Sequence, residues 1–245
     1  MKKYLIFGIF CAAQTSFASL VLTSPVFVPG TGLGTEPTLL TILSPANSSV
    51  ETGCVGSTSA LIGDTVSTTG ACQGTGSNVQ TGSSQIGPQT LASAGITNAS
   101  TFGIVFNAAE PGGDSITLTG LMATFYSSTG AFLYQTSGFS CPGLTGCTFP
   151  NTNTGTGKSG FLFSLDTAQQ NAATSAGAFS STSNLVGLFA SASNATGGQE
   201  TFYLAAIPGG GGGGGGAVPE PGSILLTAAG IGLAGYLKFR KKATV

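Results

Sequence analysis

An all-β fold, a sandwich or jelly roll with one short helix, is predicted by three features of this sequence. Phe102, Ile104 and Phe106 alternate with smaller residues, and so do Phe161, Phe163 and Leu165, the period of two that marks a strand with one buried face. Runs of Gly, Ser and Thr recur between such segments and supply turns. Helix signals within the domain gather only at residues 167–176. Roughly eight short strands over residues 19–208 follow from this pattern.

At 245 residues, 41% of them hydrophobic and 6% charged, the chain has room for one such domain plus terminal sorting segments. It opens with Met1-Lys2-Lys3, an apolar stretch over residues 4–13, and then Ser16-Phe17-Ala18. A charged start, short hydrophobic core and small-x-small end predict a secretory signal peptide, residues 1–18, cut between Ala18 and Ser19. Cys11 follows Phe10, which is too bulky for a lipoprotein cleavage site, so it leaves with the leader. Cys54, Cys72, Cys141 and Cys147 then remain in an oxidising compartment, an even number that predicts two disulfides. Of about three pairings open to four cysteines, Cys54 with Cys72 and Cys141 with Cys147 close the shortest loops. The competing zinc reading lacks CxxC spacing, and the chain has no histidine.

An entry strand is expected at residues 20–22, before prolines and glycines up to Gly34 interrupt the chain. Residues 38–43 form a short apolar run ended by Ser44-Pro45. Residues 47–89 are rich in Ser, Thr and Gly with one apolar segment at 60–62, and bury little against an ordering cost of about 1–2 kcal/mol per residue. Their order is expected to depend on a disulfide. After the strand at 102–106, Glu110-Pro-Gly-Gly-Asp114 turns the chain into a long strand over residues 115–126. There Ile116 and Leu118 have the opposite parity to Leu121, Ala123 and Phe125, which a bulge at Gly120 reconciles. Ser127-Ser-Thr-Gly130 leads to a returning strand over 131–135, completing a hairpin.

Asp166 is placed to cap a helix over 167–176, with Gln169 as the capping-box partner and Gly177 as the stop. Strands over 185–192 and 200–207 flank a turn at 194–198, and Pro208 closes the domain. Eight glycines, Gly209 to Gly216, open a linker over residues 209–217, a flexible tether of about 15–17 Å root-mean-square length.

The last 28 residues, 218–245, have three parts: Val218-Pro219-Glu220-Pro221, an uncharged apolar run over 223–237, and a basic tail over 238–245 carrying Lys238, Arg240, Lys241 and Lys242. The two prolines keep the tetrapeptide extended and out of the following helix. The run spans roughly 22 Å as a helix, short of the roughly 30 Å hydrocarbon core, and snorkelling Lys and Arg stems make up part of the difference. Cations after the run favour a cytoplasmic C-terminus. A buried core helix with a basic end is the bland alternative.

This order of parts at the C-terminus resembles the PEP-CTERM proteins, exported bacterial proteins whose tails are recognised by a membrane-embedded cysteine protease, exosortase. The resemblance covers the tail alone. It implies cleavage near Val218 to Pro221, and a place in the exopolysaccharide or biofilm matrix.

Upstream, candidate chemistry is sparse. Seven acids (Glu36, Glu51, Asp64, Glu110, Asp114, Asp166, Glu200) share the middle of the chain with Lys158 alone, so nucleic acid is not an expected partner. Without histidine the usual triads and imidazole metal sites are ruled out. A glycosidase pair would come from Glu51, Asp64, Glu110, Asp114, Asp166 and Glu200, and calcium from Glu110 and Asp114; turns, caps and solubility are the favoured roles for these acids. Gly155-Thr-Gly-Lys158-Ser159 fails as a phosphate loop because Thr152 stands where glycine is needed. Tyr126, Tyr134 and Tyr203 are read as strand residues in packing rather than a glycan-stacking row. Asn47-Ser-Ser, Asn98-Ala-Ser and Asn194-Ala-Thr match a glycosylation acceptor and are assigned no role. The expected function is non-enzymatic and cofactor-free: an exported, membrane-held, then processed surface or matrix protein. A carbohydrate-binding or adhesive module is the alternative, and a glycosidase the third reading.

Overall fold

Phe102, Ile104 and Phe106 are fully buried on one side of a strand, Phe102–Asn107, that forms the middle of a six-stranded sheet. The computed structural model describes residues 19–28, 38–44, 48–57, 62–76, 79, 87–108, 110, 114–150 and 160–207. The expected signal peptide (including Ala18), glycine linker, sorting tetrapeptide, apolar run and basic tail lie outside the described residues. No helix among the described residues is long and apolar enough to cross a membrane.

In chain order the strands are β1 (Leu20–Val28), β2 (Thr38–Leu43), β3 (Val50–Val55), β4 (Ile62–Gly63), β5 (Thr65–Val66), β6 (Cys72–Gln73), β7 (Gln89–Thr90) and β8 (Phe102–Asn107). They continue with β9 (Ser115–Tyr126), β10 (Phe132–Gln135), β11 (Phe139–Ser140), β12 (Thr148–Pro150), β13 (Gly160–Leu165), β14 (Leu185–Ser193) and β15 (Gln199–Ala206). One α-helix, α1 (Thr167–Ser175), follows β13. The protein is therefore mainly β, as expected, in two larger open sheets and a small β5–β6 ribbon.

The first sheet runs β11-β1-β13-β8-β15-β2, and the second β10-β9-β14-β3-β4, with β12 also on β9 and β7 also on β14. All these pairings are antiparallel except β1 with β11. Phenylalanine rings join the two sheets: Phe106 of β8 meets Phe149 of β12 edge-on at 5.2 Å, and Phe102 meets Phe125 of β9 at 5.0 Å. With no tryptophan in the chain, these rings supply the large core volume, each burial contributing about 1.5–3 kcal/mol.

The bulge in β9 is where the parities require it. Ser191 pairs with Gly120 and Ala192 with Leu118, leaving Thr119 as the extra residue. Both sets, Ile116 and Leu118 as well as Leu121, Ala123 and Phe125, thereby reach the core. A side chain at position 120 would start 2.8 Å from the Phe189 ring, which is why glycine stands there. The β9–β10 hairpin forms through Ser127, whose N–H donates to the Ala131 carbonyl at 2.8 Å, with Gly130 at φ 86°.

Three expectations need correction. The entry strand is longer than residues 20–22. Residues 47–89, expected to bury little and to owe their order to a disulfide, contain β3 to β6 and the start of β7. The helix cap is only half a capping box: Asp166 accepts the Gln169 N–H, but the Gln169 side chain is engaged by the Tyr134 hydroxyl and by Ser137 Oγ at 3.1 Å.

Both disulfides form with the short-loop pairing. Cys54–Cys72 ties the β5–β6 ribbon to β3, with Cα atoms 5.8 Å apart. Cys141–Cys147, at 5.3 Å, closes the loop between β11 and β12.

Candidate functional site

Where the β2–β3, β8–β9 and β14–β15 connections gather, three glutamates are removed from solvent. Glu51 shares its strand face with Gly53 and Val55, and Glu200 with Phe202 and Leu204, so both point between the sheets, and both are fully buried. Glu110, 2% exposed, accepts hydrogen bonds from the Thr196 N–H at 2.8 Å and from the Thr196 hydroxyl. The Ala195 N–H donates to the Ser49 carbonyl at 3.1 Å, drawing two of the connections together.

This overturns the expectation that turns, caps and solubility explain Glu51, Glu110 and Glu200. Burial pushes the Glu51 carboxyl up to about 7, a hydrogen bond with Glu200 opposes the rise, and the charge of Glu110 adds to it. No described residue is a lysine, arginine or histidine, so no cation among them offsets the acids. A carboxyl donating to its neighbouring carboxylate is the arrangement that two such acids adopt in a dry site.

The same geometry argues against sugar cleavage at this cluster. Glycosidase carboxylates stand about 5–10 Å apart across an open cleft, whereas Glu51 and Glu200 are fully buried inside the protein. Nor do acids, cysteines or histidines among the described residues form a group able to hold a metal ion. Calcium at Glu110 and Asp114 gains nothing from the structure: Glu110 is buried against Thr196, and Asp114 is exposed.

Asp64 and Asp166 have structural duties, as expected. Asp64 Oδ2 accepts from the N–H groups of Thr75 and Gly76 and from the Thr75 hydroxyl, each at 3.1 Å. Asp166 caps α1. Tyr126 and Tyr203 are buried strand residues, and Tyr134 is engaged with Gln169, so no tyrosine row faces solvent among the described residues. The exposed large apolar side chains among the described residues are Val50 and Phe132. Two of the Asn-x-Ser/Thr matches have local explanations: Asn98 caps a single 3-10 turn, and Asn194 sits at φ 62° and donates to Thr117 Oγ1.

Comparison with known proteins bears on the tail. Residues 217–242 match the family model of the PEP-CTERM protein-sorting motif, a span that holds Val218 to Pro221, the apolar run and all four C-terminal cations. The tail is a PEP-CTERM sorting motif. No curated protein and no solved structure matches the chain. A PEP-CTERM motif marks an exported protein that exosortase sorts at the membrane, so export and sorting rest on the tail and not on the β-domain.

Proposed function

We propose that this chain is a structural protein of the bacterial surface or extracellular matrix. It is exported by a leader over residues 1–18 and held by a helix over 223–237. An exosortase-type protease then cuts it near Val218 to Pro221. The displayed part is a non-enzymatic β-sandwich on a glycine tether, with extracellular polysaccharide as its surroundings. The match over residues 217–242 carries this reading. Two internal disulfides suit a domain that works outside the cytoplasm. The inward placement of the glutamates favours a scaffold over a sugar-cleaving site, and the burial of Tyr126 and Tyr203 favours it over a sugar-stacking one.

Substitution within the tail tests the proposal. A plain anchor needs only the apolar run and the cations, whereas a sorting signal also needs Glu220 to be read beside the membrane. Glu220→Ala is expected to insert normally yet escape cleavage, accumulating as a longer, cell-retained form on immunoblots of cell and medium fractions. Joint replacement of Lys238, Arg240, Lys241 and Lys242 is expected to weaken retention and release unprocessed precursor. A Glu220→Ala protein that matches the parent in size and location would reduce the tail to an anchor.

A further inference from the structure

Asp166 caps α1 with one oxygen and holds the start of β1 with the other. Its Oδ1 accepts the Gln169 N–H at 2.7 Å, and its Oδ2 accepts from the backbone nitrogen of Ser19 at 2.6 Å. In return the Asp166 N–H donates to the Ser19 carbonyl at 3.2 Å. A capping box would fill that last bond with the residue 169 side chain; with Gln169 engaged by Tyr134 and Ser137, Ser19 takes its place. Ser19 is fixed on its other sides as well: its hydroxyl is 3.4 Å from that of Ser140, and the Leu20 N–H donates to the Gly138 carbonyl at 2.9 Å.

The nitrogen so held is the atom that leader removal would transform. Water hydrolyses the Ala18–Ser19 amide, leaving a carboxylate on the leader and an ammonium on Ser19. We propose that this cleavage converts the Ser19–Asp166 hydrogen bond into a buried-edge ion pair, so that maturation itself locks β1 onto α1. The inference rests on the export reading above. An N⁺–H···O⁻ bond is shorter and roughly twice as strong as its neutral counterpart, and the 2.6 Å separation already accommodates it. The carboxylate lies between the new cation and the positive end of the α1 dipole, so the ammonium does not meet that dipole unshielded. Besides Ser19, the titratable group facing Asp166 is Tyr134, whose phenol is pushed up by burial first and by the Asp166 charge second.

The test uses the full-length exported protein and a variant with Gly-Ser inserted after Ala18. After the same cleavage, the variant keeps Ser19 N as an amide and moves the ammonium two residues away. Each is also made with Asp166→Asn, which preserves the cap because asparagine caps as well as aspartate. N-terminal sequencing is expected to find Ser19 first in the parent. At pH 7 the insertion is expected to lower Tm by about 2–4 °C for a domain of this size, and to leave the Asp166→Asn protein unchanged. The parent's advantage is expected to be full below about pH 8, the free value of an α-amino group, and to fade as pH rises through its raised value in the fold. A parent that keeps its leader, or begins elsewhere, overturns the cleavage and with it the ion pair. A parent that begins at Ser19 but has the same Tm as the insertion variant, or an insertion effect that survives Asp166→Asn, overturns the ion pair and leaves export standing.

Discussion

Replacing Glu51 by glutamine should remove a pH dependence that runs opposite to ordinary acid denaturation. The Glu51 carboxyl rises from 4.5 to about 7 on folding, chiefly through burial between the sheets. A raised acid binds its proton more tightly in the folded state, so its contribution is fully present below about pH 4.5 and is lost as pH climbs through 7. A tenfold change in proton affinity is worth about 1.4 kcal/mol, so the whole rise costs about 3 kcal/mol by pH 8. That is a large share of the ~5–15 kcal/mol by which domains of this kind are stable. Glutamine is neutral at every pH in the window and close to glutamate in size, so the variant should lack this slope. Urea unfolding of the disulfide-intact domain at half-unit steps from pH 4.5 to 8 measures it. The parent should lose about 1 kcal/mol per pH unit near pH 6 relative to Glu51→Gln. Parallel curves for the two proteins, or a parent that gains stability on Glu51→Gln as pH rises, would refute the buried-acid reasoning.

Two further outcomes follow from packing and crosslinks. Replacing Cys54 and Cys72 together by serine should cost about 3 kcal/mol by the loop-entropy relation for a separation of 18 residues, read as a lower urea midpoint. The effect should fall most heavily on hydrogen exchange in the β5–β6 ribbon. Gly187→Ala should cost about 1–3 kcal/mol, because its new methyl would stand 2.5 Å from the Val55 carbonyl in the neighbouring strand. Thermal unfolding against the conservative control Ala190→Gly would show whether the loss is steric.

The sequence by itself determined the elements whose signal is local. Alternation at residues 102–106 and 161–165, the parity change at Gly120, the turn at Ser127 and the cap at Asp166 all depend on neighbours within a few positions, and each appears in the structure. The PEP-CTERM tail was legible for the same reason, since its chemistry is linear: an extended acidic tetrapeptide, an apolar run and a cluster of cations. Four cysteines in the mature chain pointed to two disulfides but left three pairings open, and the structure takes the one with the shortest loops.

Tertiary structure alone decided the rest. The strand Val50–Val55 was hidden because its inward positions are Glu51, Gly53 and Val55, and a glutamate facing the core breaks the apolar alternation by which strands are recognised. Gly53 faces inward because Ile42 and Val79 come within 2.8 Å of where a side chain would begin, a contact set by strands distant in sequence. Glu51, Glu110 and Glu200 lie on separate stretches, and only the packing of one sheet on the other brings Glu51 and Glu200 into one dry site, where desolvation rather than spacing sets their chemistry. Likewise, nothing near Asp166 in sequence pointed to Ser19, 147 residues away, as the group completing its cap. A long-range partner has no periodicity to betray it; it exists only once β1 has been laid beside β13.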